Sequence, residues 1–126
     1  MTKLLVINAL AKKYYDDCHI LGSLSIPLDK LEAYARTLDK KTPIVVYCAS
    51  YSCPVSEKAW RIFDALGFTS VWAYEGGLAE WSQKGYPCAG ACQEEYLNRQ
   101  ETWHERGVKT ITAEALKEMM DDAKLL

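Results

Sequence analysis

The stretch VVYCASYSCPVSEKAW, residues 45–60, holds Cys48 and Cys53 five positions apart. The first closes a run of strand formers; the second precedes Pro54 and an amphipathic segment. A cysteine at the carboxyl end of a parallel strand, followed by a short loop and a helix start, occupies the crevice in which α/β sheets usually hold ligands. Backbone N–H groups of Ala49 to Cys53 can turn inward there, and with the helix dipole they form a cradle for an anion. Such a cradle favours thiolate over thiol and equally holds a terminal persulfide anion. Sulfur transfer needs a thiolate nucleophile and a product sulfur shielded from stray thiols, and Cys48 meets both needs if the loop wraps around it. The plainer alternative for Cys48 is an inert cysteine ending a core strand. Cys53 can be a resolving thiol for Cys48, the better activated sulfur because it lies nearer the helix N-terminus, or a small residue filling space. The hydroxyls of Ser50, Tyr51 and Ser52 can meet a substrate or satisfy local backbone.

These side chains need a scaffold. LLVIN (4–8), IVVYC (44–48) and SVWAY (70–74) are apolar, β-rich runs of the kind buried on both faces of a parallel sheet. Between them Leu31, Tyr34, Ala35 and Leu38 fall on one helical face, as do Val55, Ala59, Ile62, Phe63 and Leu66. This alternation predicts an α/β fold. Asp29 with Glu32 reads as a capping box, and Gly67 as a C-terminal stop. Pro54 suits a first helical turn, which puts Cys53 at or next to the N-cap. Residues 93–106, QEEYLNRQETWHER, are polar enough to predict an exposed helix or linker. After Gly107 the pattern predicts a strand at 109–112, an N-cap at Thr112 and a helix burying Leu116, Met119, Met120 and Ala123.

At 126 residues, 49% of them apolar, the chain suits one domain with a sizeable core. A formal charge of −2 with mixed signs offers no basic stripe, so neither nucleic acid nor a membrane surface is expected as a partner. The apolar run in MTKLLVINAL stops at Lys12 and Lys13 without a cleavage site, and a cytoplasmic protein is expected. Five cysteines are an odd number in a chain able to fold without staples, which predicts thiols in a reducing compartment. Cys88 and Cys92 are expected to be surface or half-buried free thiols; a metal pair or a sulfur relay is the other reading, but only two ligands are visible there and zinc wants four. No metal or cofactor is expected. His19 is expected to bond backbone and His104 to lie in solvent, so neither is offered as a general base.

Several motifs, in order, resemble the rhodanese-like domains over residues 4–90: CHILGSLSIPL (18–28), VVYC (45–48), ALGFTSVWAYEGGLAEW (65–81) and GYP (85–87). The resemblance implies a three-layer α/β domain with a central, mostly parallel sheet flanked by helices on both faces. It makes Cys48 the nucleophile that takes sulfane sulfur as a persulfide and passes it on. It puts Cys18, His19 and Gly22 in a structural segment, and Gly76, Gly77 and Trp81 in one that packs near the pocket, with Gly76 and Gly77 as the pocket wall. There are departures. Asn8-Ala9-Leu10 stands where the family usually has Asp-x-Arg, Cys18 where it has Gly, and Cys53 where the common loop has Arg. The loop resembles a less common branch with Cys-x4-Cys. Residues 44–57 contain no Arg or Lys, which argues against thiosulfate as donor. Val55 and Ser56 stand where a phosphatase or arsenate reductase of this fold would need Arg, which argues against oxyanion chemistry.

Rhodanese-like domains usually begin with a short strand and helix that this chain lacks ahead of Lys3, and KTITAEALKEMMDDAKLL looks like that missing piece. The expected organisation is a rhodanese-like domain at 1–90, a polar helical linker at 91–106 and a strand-helix tail at 107–126. The tail would fill the vacant place in its own chain, as a circular permutation, or in a neighbour's, as a swapped homodimer; the alternative is a loosely attached remnant of a second repeat. The expected function is a sulfurtransferase with Cys48 as nucleophile, Cys53 as auxiliary thiol, and Ala49, Ser50, Tyr51 and Ser52 as the substrate-binding loop. Its partners would be a small sulfur donor and a thiol or protein acceptor. The alternative is a non-catalytic binding or redox-sensing module built on the same thiol pair.

Overall fold

A computed structural model describes residues 3–101 and 105–126. The strands β1 (Leu5–Asn8), β3 (Leu24–Ser25), β4 (Ile44–Tyr47) and β5 (Val71–Tyr74) form one parallel sheet in the order β3-β1-β4-β5. A short antiparallel pair, β2 (His19–Ile20) with β6 (Cys88–Ala89), lies apart from it. Successive strand residues point to opposite sides, so the apolar runs feed two cores. Val6, Val45, Tyr47 and Tyr74 pack on one face, and Ile7, Ile44, Val46 and Ala73 on the other.

The second face is covered by α2 (Leu28–Ala35) and α3 (Val55–Ala65), which bury Leu31, Ala35, Ala59 and Phe63 against it. The first face carries α4 (Gly77–Gln83), with Leu78 and Trp81 buried, and α5 (Ala113–Asp122), with Leu116 and Met120 buried. The remaining helix, α1 (Lys12–Asp17), is surface-lying and buries no residue. Helices on both faces of a parallel sheet are the arrangement the alternating pattern predicted.

Local differences have local causes. Pro27, whose missing N–H costs nothing at a helix start, takes the N-cap of α2, so Asp29 falls in the first turn and the Asp29–Glu32 capping box does not form. Thr112 does cap α5, its hydroxyl accepting from Ala115 N–H at 3.1 Å. Gly67 sits at φ +90° just past α3, the left-handed stop expected there. The strand expected at 109–112 is one parallel bridge, Thr110 beside Ala73, held by Ala73 N–H to Lys109 O at 2.8 Å and Ile111 N–H to Ala73 O at 3.1 Å. It extends the sheet at the β5 edge of the same chain. Over the described part of 91–106 the helix expected is a single 3-10 turn, Glu95–Asn98, and its Leu97 is buried rather than exposed.

Candidate active site

Between β4 and α3 the chain turns through Cys48-Ala49-Ser50-Tyr51-Ser52-Cys53, closed by Cys53 N–H to Ser50 O at 3.0 Å. The first turn of α4 supports this loop from behind: Leu78 N–H donates to Cys48 O at 3.0 Å and Ala79 N–H to Ala49 O at 2.9 Å. These carbonyls are therefore committed outward, away from the sulfur. Gly77 makes the approach possible. It sits at φ +64°, and a Cβ there would come within 2.6 Å of Cys48 O. Gly77 thus backs the loop, while Gly76 lines the space beside it.

The two thiols have different surroundings, which accord with the reading of Cys53 as the better activated sulfur. Cys48 is fully buried, at 0% exposure, and burial pushes its thiol up, with the neighbouring Cys53 adding to the shift. Ser56 N–H donates to its sulfur at 3.4 Å, too little to offset burial. The half-buried Cys53 is lowered from 9.0 to about 6. The largest cause is a hydrogen bond from Cys48, followed, against an opposing burial cost, by backbone N–H groups of Ala49 and Val55 and the charge of Arg106. The Cys48 proton has two acceptors, the Cys53 sulfur and Cys53 O at 3.5 Å. Of the two cysteines, Cys53 is the one favoured to ionise first.

The cation that the loop lacks arrives from far along the chain. Arg106 spans two loop carbonyls, Nη1 to Cys53 O at 2.8 Å and Nη2 to Tyr51 O, and Arg99 Nη1 donates to Ser50 Oγ at 3.3 Å. No motif pointed to either residue; the one signal was a loop short of positive charge. A strap over residues 92–101 carries Arg99. Gln83 Nε2 donates to Leu97 O at 2.8 Å and Arg99 O at 2.7 Å, and Cys92 N–H donates to Asp17 O at 2.8 Å.

Cys18 and Cys92 form a disulfide that fastens the start of this strap to the end of α1, with Cα atoms 4.5 Å apart. This corrects the expectation that all five cysteines are thiols and that Cys92 is free, and it removes the cysteine argument for a reducing compartment. A Cys88–Cys92 metal pair is excluded for the same reason. Cys88 is half-buried and free, with burial raising its thiol.

The other site candidates are also placed. Tyr51 OH donates to Glu80 Oε2 and Tyr74 OH to Glu80 Oε1, both at 2.8 Å, so one α4 carboxylate ties the loop to β5. Burial and that carboxylate raise both phenols. Ser50 is buried with its Oγ 3.4 Å from that of Ser52, which is exposed. Asn8, in the departed Asp-x-Arg position, turns its chain by accepting from Leu10 N–H at 2.9 Å. His19 Nδ1 meets Tyr15 O at 2.7 Å, the backbone role expected, while His104 lies outside the described residues. A cavity of about 230 Å³ opens beside the loop between Ser50, Tyr51, Gly76, Lys84 and Arg99. A second, of about 490 Å³, is lined by Ala49, Leu10, Tyr14, Tyr96 and Arg99. Ser50 to Tyr51 face the first and Ala49 the second, with Arg99 common to both.

A strand-end cysteine under a helix-start loop, on a parallel sheet layered by helices, is what the motif resemblance implied. The model of the family described as the rhodanese-like domain matches residues 2–84. The chain belongs to the rhodanese-like domain family. Among curated relatives, this rhodanese-like chain is 31% identical over 67 residues to thiosulfate sulfurtransferase GlpE of Coxiella burnetii, a match covering 53% of the chain and 61% of GlpE. It therefore spans less than two thirds of that relative. Solved structures give the same fold. A crystal structure of the BH2092 protein from Bacillus halodurans has a TM-score of 0.64 at 30% identity, covering 71% of this chain and 65% of that one. A structure described as rhodanese with anions, from E. coli, has a TM-score of 0.56 at 26% identity, covering 69% and 98%. Among the described residues, no helix is long and apolar enough to cross a membrane.

Proposed function

We propose that this rhodanese-like chain is a sulfurtransferase that carries sulfane sulfur as a persulfide on Cys48 and passes it to a thiol or another nucleophilic acceptor. The observation that carries the reading is a pair of free cysteines in a backbone loop at the carboxyl end of a parallel strand, Cys48 fully buried at its floor with Ser56 N–H on its sulfur and Cys53 half-buried at its rim. A persulfide on Cys48 would be sheltered from stray thiols, because the Cys48 side chain has no exposed surface. The sulfurtransferase name of the GlpE relative points the same way. Arg106 and Arg99 bring positive charge to a loop whose residues 44–57 lack it, but Glu80 and Glu101 line the same cavity and Glu101 bonds Ser50 and Ser52, so the charge does not choose between thiosulfate and an organic persulfide.

The second reading is a binding or redox-sensing module, favoured by the contact between the two thiols, which would suit a reversible disulfide. Intact mass after incubation with thiosulfate or an organic persulfide separates the two. The transferase gains one sulfur that a thiol acceptor removes, and the Cys48→Ser/Cys53→Ser double variant gains none. Loss of two hydrogens on mild oxidation, without sulfur uptake from either donor, would instead establish the sensor.

A further inference from the structure

Cys48, at the floor of the loop, has no exposed surface, whereas Cys53 at the rim is half-buried. A donor arriving from solvent therefore meets Cys53 first. Around the Cys53 sulfur stand the N–H groups of Ala49 and Val55 and the Cys48 thiol, with Arg106 on the Cys53 carbonyl. We propose, resting on the sulfurtransferase reading, that Cys53 is the thiol that receives sulfane sulfur from the donor and relays it inward to Cys48.

In the first exchange the Cys53 thiolate attacks the terminal sulfur of the donor. A Cys53–sulfur bond forms as the donor's S–S bond breaks, and the electron pair leaves with sulfite when the donor is thiosulfate or with a thiolate when it is an organic persulfide. In the second, the Cys48 sulfur attacks that same terminal sulfur while its proton moves to the departing Cys53 sulfur. Cys48–S–SH in its anionic form and a Cys53 thiol result, and Cys53 then releases its proton to solvent. Nothing is oxidised or reduced overall, because one sulfane sulfur changes hands twice.

The direction of the relay follows from the asymmetry of the pair. A thiol of lower pKa is the better leaving group, and one of higher pKa the stronger nucleophile once deprotonated. Cys53, lowered to about 6, suits departure, and Cys48, raised by burial, suits attack. The Cys48 thiol already lies 3.5 Å from the Cys53 carbonyl, within the same turn of the loop.

The test is single-turnover loading at neutral pH with thiosulfate and, in parallel, glutathione persulfide, the added sulfur being located by peptide mapping. Wild type is expected to carry it on Cys48. Cys48→Ser should still load and hold the sulfur on Cys53, at a reduced rate because the hydrogen bond that lowers Cys53 is altered, while Cys53→Ser should load about tenfold more slowly than wild type. Equal circular dichroism and thermal midpoints for the variants exclude misfolding as the cause. Loading of Cys53→Ser at the wild-type rate, or folded Cys48→Ser that takes no sulfur, would overturn the relay. So would release of one sulfide per chain with a Cys48–Cys53 disulfide. If wild type takes sulfur from neither donor, the sulfurtransferase reading itself falls.

Discussion

Replacing Arg106 removes a positive charge from beside a thiolate that also depends on two backbone N–H groups and the Cys48 proton. Arg106→Ala should raise the alkylation midpoint of Cys53 above the value of about 6, and Arg106→Lys should lie between, keeping charge but losing the clamp on two carbonyls. Iodoacetamide rates against pH, read by mass at Cys53, measure this; an unmoved midpoint in Arg106→Ala would remove the arginine from the account. The same shift sets a sign for stability. Cys53 has a folded pKa below its ordinary 9.0, so its contribution is fully present above 9.0 and is lost as pH falls through about 6. The stability advantage of wild type over Cys53→Ser should accordingly shrink across that window in urea titrations. At this scale the sequence showed which sulfurs stand together but not which carries the charge. That depends on the burial of Cys48 and on its hydrogen bond to Cys53, with backbone N–H groups and a guanidinium 53 residues further along the chain adding to it.

Among the elements, α4 sets the shape of the loop through a single residue without a side chain. Gly77→Ala places a methyl against Cys48 O at a positive φ and should cost about 2 kcal/mol or more, with impaired sulfur loading. Chemical denaturation measures the first effect and the mass assay the second. A variant as stable as wild type would mean that α4 can retreat from the loop. The helix α5 makes a comparable test of packing. Leu116 is fully buried under the sheet, so Leu116→Ala should cost about 3 kcal/mol, whereas an exposed appendage would lose almost nothing. Strands and helices were legible because continuous apolar runs and 3.6-residue spacing are local signals. The Asp29–Glu32 box failed because Pro27 started the helix two residues earlier, and the 109–112 strand shrank to one bridge because only Thr110 pairs with the sheet edge.

For the whole molecule, the strap and the tail matter most, and neither has a local signature. A disulfide closing a separation of 74 residues holds the strap that carries Arg99 to the loop. Cys18→Ser/Cys92→Ser should lose about 2–5 kcal/mol of stability and weaken the grip of Arg99 on the loop. Thermal unfolding of that variant against wild type measures the first consequence, and its rate of sulfur loading the second. The pairing joins residues adjacent only in the folded chain, which is why counting cysteines suggested free thiols. The tail lies on the sheet of its own chain, and we propose that it does so in solution as a monomer. Sedimentation at rising concentration should then show one species, while a swapped dimer would make the unfolding midpoint depend on concentration. The position of α5 also bears on how the protein is made. Synthesis runs from the N-terminus, so every strand of the sheet and the cysteine loop emerge from the ribosome before the helix that covers Val6, Val45 and Tyr74. During that interval only α4 covers this face, so part of its apolar surface stays exposed until α5 arrives.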